Sequence, residues 1–165
     1  MNTKKYRVLI IGIGNILMSD DGVGIHLIRK LQKKVHKGDD SLKNISLLEV
    51  GTSTLYYLEA ISRAENLILL DAVKGGAQAG SIYHLQEDDF KTDLQMNRDF
   101  HGYSVLDVIK LSREITQLPA NLIIYGIEPE TLSLGEELSR SVKNALPKVI
   151  KLIIEEIKTI NNKLT

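Results

Sequence analysis

Short apolar runs alternate with stretches of helical periodicity along most of the chain. Residues 8–11 (VLII) are rich in β-branched side chains and end at Gly12, the pattern of a strand buried on both faces. Residues 45–50 (ISLLEV), 66–70 (NLILL) and 121–127 (NLIIYGI) repeat it. Residues 81–85 are shorter and follow Gly75, Gly76 and Gly80, which predicts a strand near a sheet edge. Between these runs, residues 22–34 carry Val23, Ile25, Leu27, Ile28 and Leu31 at helical spacing and close in lysines that suit a helix C-terminus. A polar loop over 36–44 follows. Thr52, Ser53 and Thr54 are good N-cap residues for a short helix over 55–63, and Ser104 caps another over 104–113, with Val105, Val108, Ile109 and Leu111 inward. The last helix, from Glu136 to about Ile160, keeps a stripe of Leu138, Val142, Leu146, Val149, Ile153, Ile157 and Ile160. Pro147 lies inside that stripe and is expected to kink the helix rather than end it. Residues 87–100 are polar and irregular and read as a long surface excursion, a length of loop more often functional than decorative.

Strands that alternate with helices, and that are continuously apolar, predict an α/β protein: a three-layer α/β/α sandwich around a mostly parallel twisted sheet. The 165 residues show no linker, repeat or low-complexity stretch, so residues 1–165 are expected to form one domain. Composition narrows the chemistry. Lys+Arg 21 balances Asp+Glu 21, which points away from nucleic acid and anionic membranes as partners. There is no cysteine, which excludes disulfides, thiolate metal sites and cysteine nucleophiles. Any metal must be held by His, Asp, Glu or Asn. The polar residues 1–7 lead into an apolar run too short for a signal or membrane segment, so a soluble cytoplasmic protein without membrane insertion is expected.

In an open parallel sheet the ligand site lies outside the carboxyl ends of the strands. Three such ends are polar here: Gly12-Ile13-Gly14-Asn15, Glu49 and Asp71. The first loop, GIGNILMSDDGVG, matches the first two glycines of a dinucleotide fingerprint, but Leu17 stands where the third should be. Asp20 and Asp21 before the helix would repel a pyrophosphate and suit a cation; their plainer role is to stabilise the helix N-terminus by about 0.3–1 kcal/mol each. Asp71, directly after residues 67–70, would be partly desolvated and need a cation or hydrogen bonds to stay charged. His101, next to Gly102 and before a helix, can approach a ligand closely, although a single loop histidine is more often simply solvated. His26, His36 and His84 have weaker cases. Asn15 is expected to brace the first loop through its amide, and Thr52 and Ser53 to cap rather than attack. Asp21, Asp71 and His101 together would make an O,O,N set suited to a divalent ion with open positions.

These residues resemble a known family, the nickel-iron hydrogenase maturation endopeptidases, which trim the C-terminal extension of the hydrogenase large-subunit precursor. The likeness rests on the loop from Gly12 to Gly24, on Asp71-Ala72 after an apolar strand, on His101-Gly102 with Ser104-Val105-Leu106-Asp107, and on Gly126-Ile127-Glu128-Pro129-Glu130. The resemblance implies a five-stranded, phosphorylase/hydrolase-like fold and a metal-binding trio of Asp21, Asp71 and His101 that also carries catalysis. The first position of the trio is Glu or Asp in the family, and Asp21 is the shorter form. It implies that nickel arrives with the substrate precursor as the recognition mark, with no permanently bound cofactor, and that the partner is that precursor; nothing in the sequence predicts an obligate partner, so a monomer is expected. The segment Ser133-Leu134-Gly135 is shorter than its usual counterpart. One of the Asp residues would act as general base toward the attacking water, with Asp20 a second candidate. Two other readings stand beside it: a non-proteolytic nickel-sensing or scaffold protein of the same fold, and a dinucleotide-binding oxidoreductase, which Leu17 and the Asp20-Asp21 pair disfavour.

Overall fold

The computed structural model describes residues 6–86, Asp89, Pro119 and 121–162. The strands are β1 (Tyr6–Ile13), β2 (Ile45–Gly51), β3 (Ala64–Ala72), β4 (Ile82–Gln86) and β5 (Asn121–Ile127), and the described helices are α1 (Val23–His36), α2 (Leu58–Ser62) and α3 (Arg140–Asn162). They form a five-stranded sheet in the order β2-β1-β3-β5-β4, parallel throughout except that the edge strand β4 runs antiparallel to β5. The mostly parallel α/β sheet and the edge position of β4 agree with the sequence pattern. The excursion over 87–100 falls outside the described residues apart from Asp89, and the helix expected over 104–113 falls outside them entirely.

Successive residues of the central strands feed opposite faces of the sheet. On one face Val8, Ile10, Ile68, Leu70, Ile123, Tyr125 and Ile127 pack with Val23, Leu27, Ile28 and Leu31 of α1 and with Val142, Leu146, Val149, Ile153 and Ile157 of α3. On the other, Leu9, Ile11, Ile13, Leu67, Leu69, Leu122 and Ile124 pack with Val50 and with Ile61 of α2. This double coverage is why the strands read as continuous apolar runs.

The element ends differ from the apolar pattern for identifiable reasons. β1 and β3 begin earlier because pairing extends into polar residues: the Tyr6 N–H donates to the Arg63 carbonyl (3.0 Å) and Asn66 Nδ2 to the Arg7 carbonyl (2.8 Å). β3 also runs past Leu70, so Asp71 lies within the strand opposite Gly126 rather than after it. The helix expected over 55–63 opens as a 3-10 turn (Thr54–Tyr57) and is α-helical only over Leu58–Ser62. The last helix starts at Arg140 rather than Glu136, because the Ser139 N–H is taken by a carboxylate from the first loop. It continues through Pro147, which sits on its exposed side. In its first turn α1 lies so close to the sheet that a Cβ on Gly24 would lie 2.2 Å from the Leu70 carbonyl oxygen; only glycine allows this approach.

Candidate active site

The carboxyl ends of β1 and β3 are neighbours in the sheet, and each delivers one acidic residue. Asp21 comes from the 3-10 turn Ser19–Gly22 between β1 and α1. Its Oδ2 accepts the Asn15 N–H at 2.8 Å, and Asn15 Oδ1 in turn accepts the Leu17 N–H at 3.0 Å. The Asn15 amide therefore braces the loop as its sequence position suggested. The donor that a dinucleotide phosphate would have needed is engaged by a carboxylate instead. Gly14 makes the tight return possible. Its φ is +121°, and a Cβ there would fall 1.8 Å from the Asp21 carbonyl oxygen.

Asp71 is buried, and its Oδ1 accepts the Ala72 N–H at 2.8 Å. Burial pushes its carboxyl up to about 8, the negative charge of Asp21 adds to the rise, and the Ala72 bond opposes it. At neutral pH Asp71 is thus held mostly protonated. The charge of Asp21 reaches Asp71, so the two carboxyl groups lie on the same side of the fold, near one another. His101, the third member of the expected set, lies outside the described residues, and among the described residues no three His, Asp or Glu side chains are grouped to hold a metal ion.

Asp20 corrects the sequence reading. Its side chain is fully buried and both oxygens are engaged: Oδ1 accepts the Ser139 N–H (2.6 Å), and Oδ2 accepts those of Glu130 (2.9 Å) and Thr131 (3.1 Å). It faces the segment before α3, and three backbone donors occupy its oxygens. The neighbouring Ser19 has φ +49°, a left-handed conformation that is unfavourable for a side-chain-bearing residue. Its N–H donates to the Gly135 carbonyl (2.6 Å) and its hydroxyl to the Ser133 carbonyl (3.0 Å).

Glu49, the third polar strand end, does not join the two Asp residues. It pairs with Arg29 of α1, whose Nε lies 3.2 Å from both carboxylate oxygens and whose Nη2 lies 3.0 Å from Oε2. The pair stands in a groove of about 350 Å³ that also borders Gly14, Asn15, Gly51 and Thr52. Glu128 has a structural part that the sequence did not disclose: it is buried, and its Oε2 accepts the N–H groups of Gly75 (2.8 Å) and Ala77 (3.2 Å) and the Tyr83 hydroxyl. This pins the loop after β3 against the end of β5. Two of the other histidines serve locally. His36 Nδ1 lies 2.7 Å from the Gln32 carbonyl oxygen, and the His84 ring lies 5.0 Å from that of Tyr125.

Two carboxyl groups thus lie toward the carboxyl ends of neighbouring parallel strands, one of them pushed toward its protonated form by burial. The model of a family described as HycI, hydrogenase maturation protease, matches residues 25–156. The hydrogenase expression/formation protein HupD of Rhodobacter capsulatus is 30% identical over 154 residues, covering 93% of this chain and 70% of the relative. HupD of Thiocapsa roseopersicina is 27% identical, and there the match covers 90% of this chain but 66% of the relative, so the chain spans about two thirds of the length of such curated relatives. Among solved structures, the [NiFe] hydrogenase maturation protease HybD from Thermococcus kodakarensis superposes with a TM-score of 0.74 at 28% identity, covering 92% of this chain and 99% of that one. The hydrogenase maturating endopeptidase HybD from E. coli gives the same TM-score at 20% identity and shows the shared fold. The chain belongs to the hydrogenase maturation protease family, a family of peptidases acting in hydrogenase maturation.

Proposed function

We propose that this protein is the endopeptidase that removes the C-terminal extension from the nickel-loaded large-subunit precursor of a nickel-iron hydrogenase. The observation that carries the reading is the pair of coupled carboxyl groups, Asp21 and Asp71, at adjoining strand ends, with Asp71 held protonated by burial and by its neighbour. Such a pair repels itself whenever both groups are charged. A nickel ion brought by the precursor would relieve that repulsion, and its binding would release the Asp71 proton. Asp21, Asp71 and His101 are the residues proposed to meet that nickel and so to hold the scissile peptide in place. The nickel belongs to the substrate and marks a precursor ready for cleavage.

We take one of the pair, Asp21 or Asp71, to be the general base toward the attacking water once nickel binding has released the Asp71 proton. Asp20 is excluded by its three backbone donors. We take the protein to act as a cytoplasmic monomer. Among the described residues no helix is long and apolar enough to cross a membrane.

The test is the intact mass of the large-subunit precursors from the same genome after incubation with this protein, each prepared with and without nickel. A mass loss matching a short C-terminal peptide, seen only with nickel and abolished by His101→Ala, is the expected result. Divalent-metal binding with no cleavage of any nickel-loaded precursor would instead establish the non-proteolytic sensor or scaffold.

A further inference from the structure

The proposed metal-facing residue Asp21 sits on a turn that does little to define itself. The turn Ser19–Gly22 has no side-chain cap at Met18, and it contains Ser19 in the left-handed region. Its local support includes the Asp21 N–H to the Met18 carbonyl (3.1 Å) and the Met18 N–H to the Asn15 carbonyl (3.0 Å). Most of its remaining hydrogen bonds come from a segment more than a hundred positions further along the chain. Asp20 receives three backbone N–H groups from residues 130, 131 and 139, and its own N–H donates to the Thr131 carbonyl (3.2 Å). Ser19 donates twice to the same segment, and the Gly135 N–H returns a bond to the Leu17 carbonyl (3.0 Å). The turn is therefore bonded to that segment through Leu17, Ser19 and Asp20, and Asp21 is the next residue.

We infer that Asp20 is a positioning residue for the reaction: its buried carboxylate locks the turn to the segment over 130–139 and so sets where the Asp21 carboxylate stands. The chemistry of the acceptor explains why a carboxylate occupies this place. Three N–H groups converge from two directions, and among side chains an Asp offers two oxygens that only accept. An amide of the same shape offers one acceptor and one donor, and the donor would face an N–H. Ser133-Leu134-Gly135 thereby gains a role: through Ser19 and Leu17 it is the far half of the clamp on the acidic loop.

The inference rests on the proposed role of Asp21, but it has a readout of its own. The Asn15 N–H donates to Asp21 Oδ2, so its NMR chemical shift and hydrogen exchange report the position of that carboxylate without metal or precursor. In Asp20→Asn the expected result is a shifted, faster-exchanging Asn15 amide in the folded protein. It is accompanied by loss of kcat of about a hundredfold toward nickel-loaded precursor, the penalty for displacing a reacting group by roughly 1 Å, with KM near wild type. Ser19→Ala, which removes only the hydroxyl bond to Ser133, tests the same clamp if Asp20→Asn does not fold, and is expected to move both readouts in the same direction by less. A wild-type Asn15 amide and kcat in the folded variants would overturn the inference. So would a loss of activity explained wholly by the folded fraction. If wild type itself cleaves no precursor, the functional reading fails while the Asn15 measurement still decides the clamp.

Discussion

Replacing Asp71 by Asn should stabilise the metal-free protein while destroying its activity. The carboxyl stands at about 8 in the folded state against 3.8 for an unhindered group, because burial and the Asp21 charge both oppose ionisation. Below about pH 4 folded and unfolded chains both keep the proton, and the site imposes no penalty. As pH rises from there toward 8 the unfolded chain releases the proton and the folded chain retains it. The folded state binds more protons throughout that window, so stability falls with rising pH and the full loss is reached above pH 8. At 1.36 kcal/mol per pK unit the loss reaches about 4 kcal/mol by pH 7. Asn keeps the acceptor for the Ala72 N–H, has nothing to ionise and feels no repulsion from Asp21. The variant should match wild type near pH 4 and exceed it increasingly up to pH 8, by roughly 8–16 °C in Tm at pH 7 for a chain of this size. Urea and thermal unfolding of both proteins at several pH values from 4 to 9, with chelator present, would measure this. Parallel stability curves across that range would refute the reasoning, since they would mean that Asp71 titrates normally in the folded protein.

Further outcomes follow from the same geometry. Gly14→Ala must place a Cβ against the Asp21 carbonyl oxygen at a positive φ, and should lower stability by about 1–3 kcal/mol in urea unfolding while disturbing the acidic loop. Ile153→Ala, in the fully buried centre of α3, should lower stability by about 2–5 kcal/mol and leave the specific activity of the folded fraction intact. Arg29→Ala breaks a half-exposed pair with Glu49, so unfolding should register a change of at most about 1 kcal/mol, and a larger loss would show that the groove wall matters to the fold.

Local sequence carried much of this protein's description. Continuous apolar runs are legible because a strand covered on both faces has no polar side to display, and α1 and α3 are legible because one stripe of each faces the sheet. The placement of Asp71 at a strand end was legible for the same reason: a carboxylate after four buried apolar residues has few other places to be. What local pattern could not decide was anything set by partners distant in the chain. Asp20 and Asp21 are identical residues side by side, and either could have faced a ligand. The segment over 130–139 supplies three backbone donors to the first, while the second accepts the Asn15 N–H of its own loop, and only the fold tells them apart. Glu49 ended a strand as promisingly as Asp71, yet Arg29 on α1 lies within reach and takes it. Glu128 lay in a recognisable motif, but its partners at Gly75, Ala77 and Tyr83 are chosen by the antiparallel return of β4 beside β5. The sequence by itself determined which segments are strands and helices and where acidic chemistry is available, because burial writes a periodic pattern into nearby residues. Only the tertiary structure decided which partners each carboxyl group meets, because backbone hydrogen-bond donors and desolvation come from whatever the fold brings alongside.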